Sequence, residues 1–247
     1  WMAEAARVVE DLGAHIIDIN MGCPAKKVVN GYSGAALLKD LDLACEIISA
    51  VKSAVSVPVT LKTRLGWDDD LLNAPEIARR AEEIGIAQIT IHGRTRCQFY
   101  KGRANWGAIA EVTQAVSIPV IANGDIVDTA SARQARAASG ANGVMIGRGA
   151  QGKPWLLAQV AADLFGMDRP KVPTGTSFIE MVKGHYQAIL SFYGRDLGTR
   201  VARKHLGWYM DTVGTSGRVR KDILTSDATR TLALLTHILD ADMELAS

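Results

Sequence analysis

The sequence predicts an α/β fold built on a parallel sheet and followed by a small all-helical domain. Three observations carry that expectation. Short β-rich runs alternate with helical patterns through the first two thirds of the chain, one strand entry nearly repeats, and the β pattern stops after Leu156. The near repeat is Ala54-Val55-Ser56-Val57-Pro58-Val59 against Ala115-Val116-Ser117-Ile118-Pro119-Val120, two βα units further on.

Taken in order, residues 1–10 read as the middle of an amphipathic helix. No cap, strand or loop precedes them, so an amino-terminal portion is expected to be absent. Strands are expected at residues 15–21, 58–65, 87–92, 119–123 and 143–146, with helices at 43–55, 75–84, 106–116 and 129–138 between them. Residues 170–175 (Pro-Lys-Val-Pro-Thr-Gly) look like a linker, and helices at 178–193, 197–210, 218–224 and 228–239 make a small bundle. The expected division is therefore 1–168 and 169–247.

Side-chain alternation chooses between a (β/α)₈ barrel and a doubly wound sheet. Asp18 and Asn20 share one face against Ile17 and Ile19; Thr60 and Lys62 oppose Val59 and Leu61; Thr90 and His92 oppose Ile89 and Ile91. Asn123 ends a fourth strand. Polar strand ends in one phase converge inside the carboxyl mouth of a barrel, where barrel enzymes keep their active sites, and do not converge on an open sheet. Any one of them alone reads equally well as a solvated or loop-bonded side chain.

Bulk properties set the outer limits. At 247 residues with 48% hydrophobic content, the chain can form one large domain or a medium domain plus a small one. No apolar run reaches eighteen residues and no charged-then-apolar leader opens it, so no membrane partner and a cytoplasmic location are expected. Cys23, Cys45 and Cys97 show no paired metal-ligand spacing, so no metal is expected, and their odd number does not suit a disulfide framework. Cys45 lies in an apolar helical stretch and reads as core filler. A net charge of +2 is too small to establish a nucleic-acid partner, so the distribution of charge decides.

Chemistry concentrates where strands end. Asn20-Met21-Gly22-Cys23-Pro24-Ala25-Lys26-Lys27 follows the first strand and places a lone thiol between Gly and Pro at the strand's carboxyl end. A free cysteine is commonly only a packing residue, but this position suits catalysis. Asn123-Gly124-Asp125 and Gly147-Arg148 end the last two strands in glycine-bearing turns, the place where such barrels grip a phosphate through backbone N–H groups. Either turn alone could be a plain tight turn. The loop from His92 to Trp106 carries Arg94, Arg96, Lys101 and Arg103 with no acid, and Phe99 and Tyr100 lie among the cations. That mixture suits phosphates and unstacked bases, as in RNA recognition, although basic surface loops are common. Residues 195–221 hold Arg195, Arg200, Arg203, Lys204, Arg218, Arg220 and Lys221 against Asp196 and Asp211, an excess that favours a polyanion or forms a solvated helical face.

These segments resemble the tRNA-dihydrouridine synthases, and within them the bacterial B-type branch. The likeness rests on residues 20–24 (NMGCP), 61–67 (LKTRLGW), 91–96 (IHGRTR), 121–126 (IANGDI), 145–150 (MIGRGA) and 203–205 (RKH), and it covers essentially the whole chain. It implies an FMN-dependent TIM barrel followed by a helical tRNA-binding domain, with NADPH or NADH as reductant and tRNA as partner. A monomer is expected. By the resemblance Cys23 is the proton donor, Lys62 and His92 contact the flavin ring, and Asn123, Gly124, Asp125, Gly147 and Arg148 cradle the FMN phosphate. Asn20, Lys26, Lys27, Arg94, Arg96, Lys101, Arg103, Arg203 and Lys204 are the expected tRNA contacts.

The implied chemistry suits those residue types. Hydride goes from flavin N5 to C6 of uracil, and a proton must then reach C5; a thiol, ordinarily titrating near about 8.5, can hold that proton at neutral pH. A lysine beside the flavin N1–O2 edge stabilises the reduced, anionic ring. The family has a strand whose loop lies against the flavin, and another supplying a glutamine, ahead of its cysteine-bearing strand. The present chain resembles strands four to eight, and such a piece is expected to hold FMN poorly. Two other readings stay open: an FMN barrel oxidoreductase acting on a small pyrimidine-like substrate, and a non-catalytic, truncated tRNA-binding remnant.

Overall fold

Each expected strand forms, slightly shorter than the β-rich run that announced it. In the computed structural model, which describes residues 1–215 and 217–244, these are β1 (Ile17–Asn20), β2 (Val59–Arg64), β3 (Gln88–His92), β4 (Val120–Asn123) and β5 (Gly143–Met145). They lie in sequence order in one sheet, and every neighbouring pair is parallel. The connections are α2 (Lys26–Val29), a 3₁₀ segment (Gly34–Lys39) and α3 (Leu41–Ala54), then α4 (Ala74–Ile84), α5 (Ile109–Ala115) and α6 (Thr129–Ser139). Helix α1 (Met2–Asp11) precedes β1.

Contacts divide the chain into two units, Trp1–Gly147 and Arg148–Ser247. The division falls ahead of the linker at residues 170–175, where the boundary was expected. Trp155 sets the difference: its ring meets Phe178 edge-on at 6.2 Å, and Gly152 lies tight against the backbone of Trp208, so the segment before the linker belongs with the helices. Ser216 and residues 245–247 of the expected helical domain lie outside the described residues.

In the first unit the two faces of the sheet differ in character. Ile17 and Ile19, Val59 and Leu61, Ile89 and Ile91, and Val120 and Ala122 are buried with Ala44, Ile48 and Val51 of α3, Ile77, Ala78 and Ala81 of α4, and Ile109 and Val112 of α5. Register aligns the alternate residues in rows, and paired residues of parallel strands share a face. One row is Asn20, Lys62 and Thr90; the next is Arg64, His92 and Asn123. The polar strand ends therefore do lie on one face, in the phase that alternation predicts.

The near repeat has a physical counterpart at the opposite ends of the strands. Glu10 of α1 accepts hydrogen bonds from the N–H and hydroxyl of Ser56 and the N–H of Val57. Glu82 of α4 does the same for Ser117 and Ile118. A hydroxyl and two amides converging on one carboxylate favour its ionised form, and both glutamates titrate below the ordinary value, the serine hydroxyl bond being the largest cause in each.

Helix ends follow local chemistry. Asp40 accepts from Leu43 N–H at the start of α3, Asp128 and Ser131 form a reciprocal cap on α6, and Gly85 and Gly140 close α4 and α6 in the left-handed conformation.

The second unit is helical: α7 (Leu156–Phe165), α8 (Gly175–Tyr193), α9 (Arg195–Val213), α10 (Gly217–Thr225) and α11 (Ala228–Glu244). Helix α7 carries no expectation from the sequence pattern; the other four lie where helices are expected. Phe178, Val182, Tyr186 and Ile189 form the apolar stripe of α8 and meet Ala202, Leu206, Tyr209 and Met210 of α9, with Ile223 and Leu235 completing the core. Among the described residues, no helix is long and apolar enough to cross a membrane.

Candidate active site

The loop carrying Cys23 is held by its backbone. Met21 N–H donates to the Lys62 carbonyl at 2.7 Å, extending the ladder one step beyond β1, and the Asn20 side chain accepts from Gly22 N–H at 3.0 Å. The Cys23 carbonyl accepts from Ala35 N–H at 3.1 Å. Gly34, at φ +59°, makes that approach possible, because a Cβ there would lie 2.8 Å from the Cys23 carbonyl oxygen. The thiol-bearing side chain remains half-buried rather than packed away, whereas Cys45 is buried in α3.

Arg64, two residues beyond Lys62 on the same strand face, binds this loop to the next. It is 2% exposed; its Nε donates to the Gly22 carbonyl at 2.8 Å and its Nη1 to the carbonyls of Thr95 and Phe99, each at 2.9 Å. Its guanidinium also lies 5.6 Å from the centre of the Tyr100 ring. Arginine suits this place because one rigid fork serves acceptors arriving from two loops. Alternation along β2 is the signal that could have identified it: Arg64 is in phase with Lys62, but a strand-end arginine reads by default as solvated.

His92, level with Arg64 across the ladder, is buried beside three cations. Burial is the main reason its pKa drops to about 3; Arg64, Lys62 and Arg94 push in the same direction and Asp125 opposes them. The ring is therefore neutral at physiological pH. Arg94 Nη1 lies 3.3 Å from His92 Nε2, and since a guanidinium only donates, Nε2 accepts and Nδ1 carries the proton. Gly124, at φ +116°, is part of the same packing: a Cβ there would meet Ala104 Cβ at 2.8 Å and His92 Cδ2 at 2.9 Å.

Two side chains read from sequence as ligand contacts are turned to other residues of the protein. Arg94, read from sequence as a tRNA contact, is 2% exposed and faces inward. Its guanidinium serves the carbonyls of Lys101 at 3.2 Å and Gly102 at 2.7 Å, His92 Nε2, and the Asp125 carboxylate at 2.6 Å. It braces the basic loop instead of projecting from it. Asp125, read as part of a phosphate cradle, turns its carboxylate to Arg94 and to Ala104 N–H at 2.8 Å. The side chain is thus a brace, and the expected phosphate grip at this turn rests on its backbone N–H groups.

Lys62 is half-buried and has no hydrogen bond or ion pair among the described residues. Burial lowers its pKa first, Arg64 adds to the effect, and Asp18 counters it. Asn123 donates from its amide to the Met145 carbonyl at 2.9 Å, and Trp106 Nε1 donates to the Gly124 carbonyl at 2.8 Å, so the turn after β4 is fixed from both sides. A Cβ at Gly147 would meet nothing within 4 Å. Arg148 is exposed and opens the second unit. Lys26 and Lys27 stand exposed on α2, as do Lys101 and Arg103 on the loop after β3. Arg96 is half-buried against Trp67, and Arg203 and Lys204 are exposed on α9. Part of the basic run in the second unit serves internal contacts: Arg220 pairs with Asp211 at 2.8 Å, and Arg195 donates to the Thr229 hydroxyl.

The first unit thus presents a half-buried thiol, an unpaired cation, a neutral histidine of fixed tautomer and glycine turns, all at the carboxyl ends of parallel strands. Residues 1–241 match the family described as dihydrouridine synthase. A probable tRNA-dihydrouridine synthase of Rhodobacter capsulatus is 62% identical over 234 residues, covering 95% of this chain and 72% of the relative. One of Rhizobium leguminosarum bv. phaseoli is 51% identical over 244 residues, covering 98% of this chain and 75% of the relative. The tRNA-dihydrouridine synthase B of Xanthomonas axonopodis pv. citri is 50% identical over 208 residues, with 84% and 63% covered. Matches of this identity and extent, on a chain whose strand ends carry this set of groups, establish that it belongs to the dihydrouridine synthase family.

Proposed function

We propose that the protein reduces uridines of tRNA to 5,6-dihydrouridine, with FMN as its cofactor and NADPH or NADH as the source of electrons. The observation that carries this reading is the row register, which sets Lys62, Arg64, His92 and Asn123 on one sheet face beside the Cys23 loop. We read that face as the interior of a (β/α)₈ barrel wall, with the carboxyl ends of its strands as the mouth.

The donor set fits an anionic, planar ligand. Lys62 is a half-buried cation with no ion pair among the described residues, and the turn at Gly147 leaves its backbone next to open space. Reduced FMN, when bound, supplies a hydride from N5 to C6 of the uracil ring. Lys62 would hold positive charge beside the ring of a bound flavin, and an anion there would favour its charged form. His92, neutral and protonated at Nδ1, offers a donor to the ligand without adding a further charge to the cluster. Cys23 holds the proton on Sγ and delivers it to uracil C5. Arg64 fixes the loop that carries the thiol. The uridine leaves its stack to reach the mouth, and exposed Phe99 and Tyr100 with Lys101 and Arg103 receive the surrounding strand. Lys26 and Lys27 on the first unit and, separately, Arg203 and Lys204 on the second are further exposed cations for the tRNA.

The test is to incubate the protein with FMN, NADPH and unmodified tRNA and to map dihydrouridine, with Cys23→Ala alongside. Loss of a positioned general acid slows the reaction by about 10²- to 10⁴-fold. A Cys23→Ala protein that modifies tRNA at the parent rate would refute the proton-donor role, and a parent that leaves every uridine intact would refute the activity.

A further inference from the structure

Trp67, Lys39 and Arg96 come from three different loops and meet at one place. Lys39 ends the 3₁₀ segment that follows the Cys23 loop, Trp67 follows β2, and Arg96 follows β3. The Lys39 ammonium lies 4.9 Å from the centre of the Trp67 ring and the Arg96 guanidinium 4.6 Å. Neither cation has a carboxylate partner among the described residues. Two like charges gathered on one indole repel each other, and a cation–π contact at a partly exposed site offsets this only in part. Asp40 and Asp68, Asp69 and Asp70 are close in sequence, but neither cation pairs with them among the described residues, so both stay available to an anion.

The backbone builds the cluster rather than leaving it to flexible side chains. Arg96 N–H donates to the Gly66 carbonyl at 3.0 Å and Cys97 N–H to the Trp67 carbonyl at 2.9 Å, joining the loops after β2 and β3. Trp67 N–H donates to Leu71 O at 3.0 Å, and a Cβ at Gly66 would overlap that same oxygen. Asn73 donates to the Leu38 carbonyl at 2.6 Å, fixing the chain beside Lys39. Arg96 Nε is a buried donor with no partner among the described residues, and Lys39 is exposed, so an anion from solvent can reach the cluster at its Lys39 side.

We infer that Lys39 and Arg96, held on Trp67, form a clamp for one backbone phosphodiester of the bound tRNA. This rests on the tRNA-directed function proposed above and extends it: the clamp grips the strand beside the uridine that Cys23 protonates, since Lys39 ends the segment whose first residues pack on Cys23. Phosphate contacts position a nucleic acid without reading its sequence, so the clamp sets the approach of the target nucleotide and not its identity.

The experiment measures binding of unmodified tRNA to the flavin-loaded protein between about 50 and 200 mM chloride, for the parent, Lys39→Met, Arg96→Gln and Lys52→Met, with far-UV circular dichroism to verify folding. Each clamp substitution is expected to lower the slope of log affinity against log salt by about 0.7–0.9 and to weaken binding several-fold, while Lys52→Met, on α3 away from these loops, changes neither. Folded variants with the parent slope would overturn the clamp even if the parent makes dihydrouridine. A parent that binds tRNA without modifying it overturns the activity while the slopes still decide the clamp, and a parent that does not bind tRNA overturns both. In a second arm inorganic phosphate replaces chloride at equal ionic strength. Free phosphate is expected to narrow the difference between parent and Lys39→Met by competing for the clamp, and an undiminished difference would overturn the phosphate assignment.

Discussion

Arg94 reaches His92 Nε2 at 3.3 Å while the same guanidinium holds Asp125 at 2.6 Å, so one buried arginine sets both the tautomer of the histidine and the position of the turn after β4. Arg94→Met removes one donor from Asp125, which keeps Ala104 N–H, and the arginine donors to the carbonyls of Lys101 and Gly102. Breaking a buried pair of this kind costs about 3 kcal/mol, roughly 6–12 °C in Tm for a chain of this length. Thermal unfolding measures the loss, and nitrogen NMR of His92 is expected to show the proton no longer confined to Nδ1. A variant with the parent Tm and an unchanged tautomer would remove the brace from the account.

Acid sensitivity follows from the same histidine. Folded His92 titrates at about 3 and an unfolded histidine near 6.5. Between those values the unfolded chain holds the extra proton, so this group reduces stability as pH falls from about 6.5 toward 3, with a limiting slope of about 1.4 kcal/mol per pH unit. Urea unfolding between about pH 7 and pH 5 is expected to show a smaller loss for His92→Gln than for the parent. Parallel curves would place the histidine in a less buried setting than the one described.

Gly34 controls the thiol without touching substrate. In Gly34→Ala the left-handed conformation costs about 1–2 kcal/mol, and the new methyl meets the Cys23 carbonyl and Cβ. Displacement of a reacting group by about 1 Å can cost about 10²-fold in rate, so dihydrouridine formation is expected to fall more than tenfold while the fold survives. Gly13→Ala is the control: it carries a positive φ of 95° with nothing within 4 Å of the added methyl, and its activity is expected to match the parent.

The strands, the phase of their polar ends and the loops that carry chemistry were legible because they depend on local alternation and on glycine-bearing turns. Asn20, Lys62, His92 and Asn123 needed nothing more. Arg64 and Arg94 were not legible as buried braces, because their acceptors are backbone carbonyls brought in by loops, and a carbonyl has no signature in sequence. Asp125 is a further case: its charge is answered by an arginine 31 residues away, while the phosphate reading of its turn rests on backbone N–H groups. The unit boundary was displaced for a similar reason, since Trp155 finds Phe178 only after the chain has folded back. The repeated Ser-Val/Ile-Pro entry was visible, but not the glutamates that hold it, which lie 46 and 35 residues upstream.

Those two glutamate joints also govern how the sheet opens. Because Glu10 belongs to α1 and holds the amides of Ser56 and Val57 at the foot of β2, those amides are released when α1 detaches, even while β2 stays paired. Glu82 relates α4 to the foot of β4 in the same way. Hydrogen exchange at Ser56, Val57, Ser117 and Ile118 therefore reports the departure of an outer helix, not the melting of the strand each residue precedes.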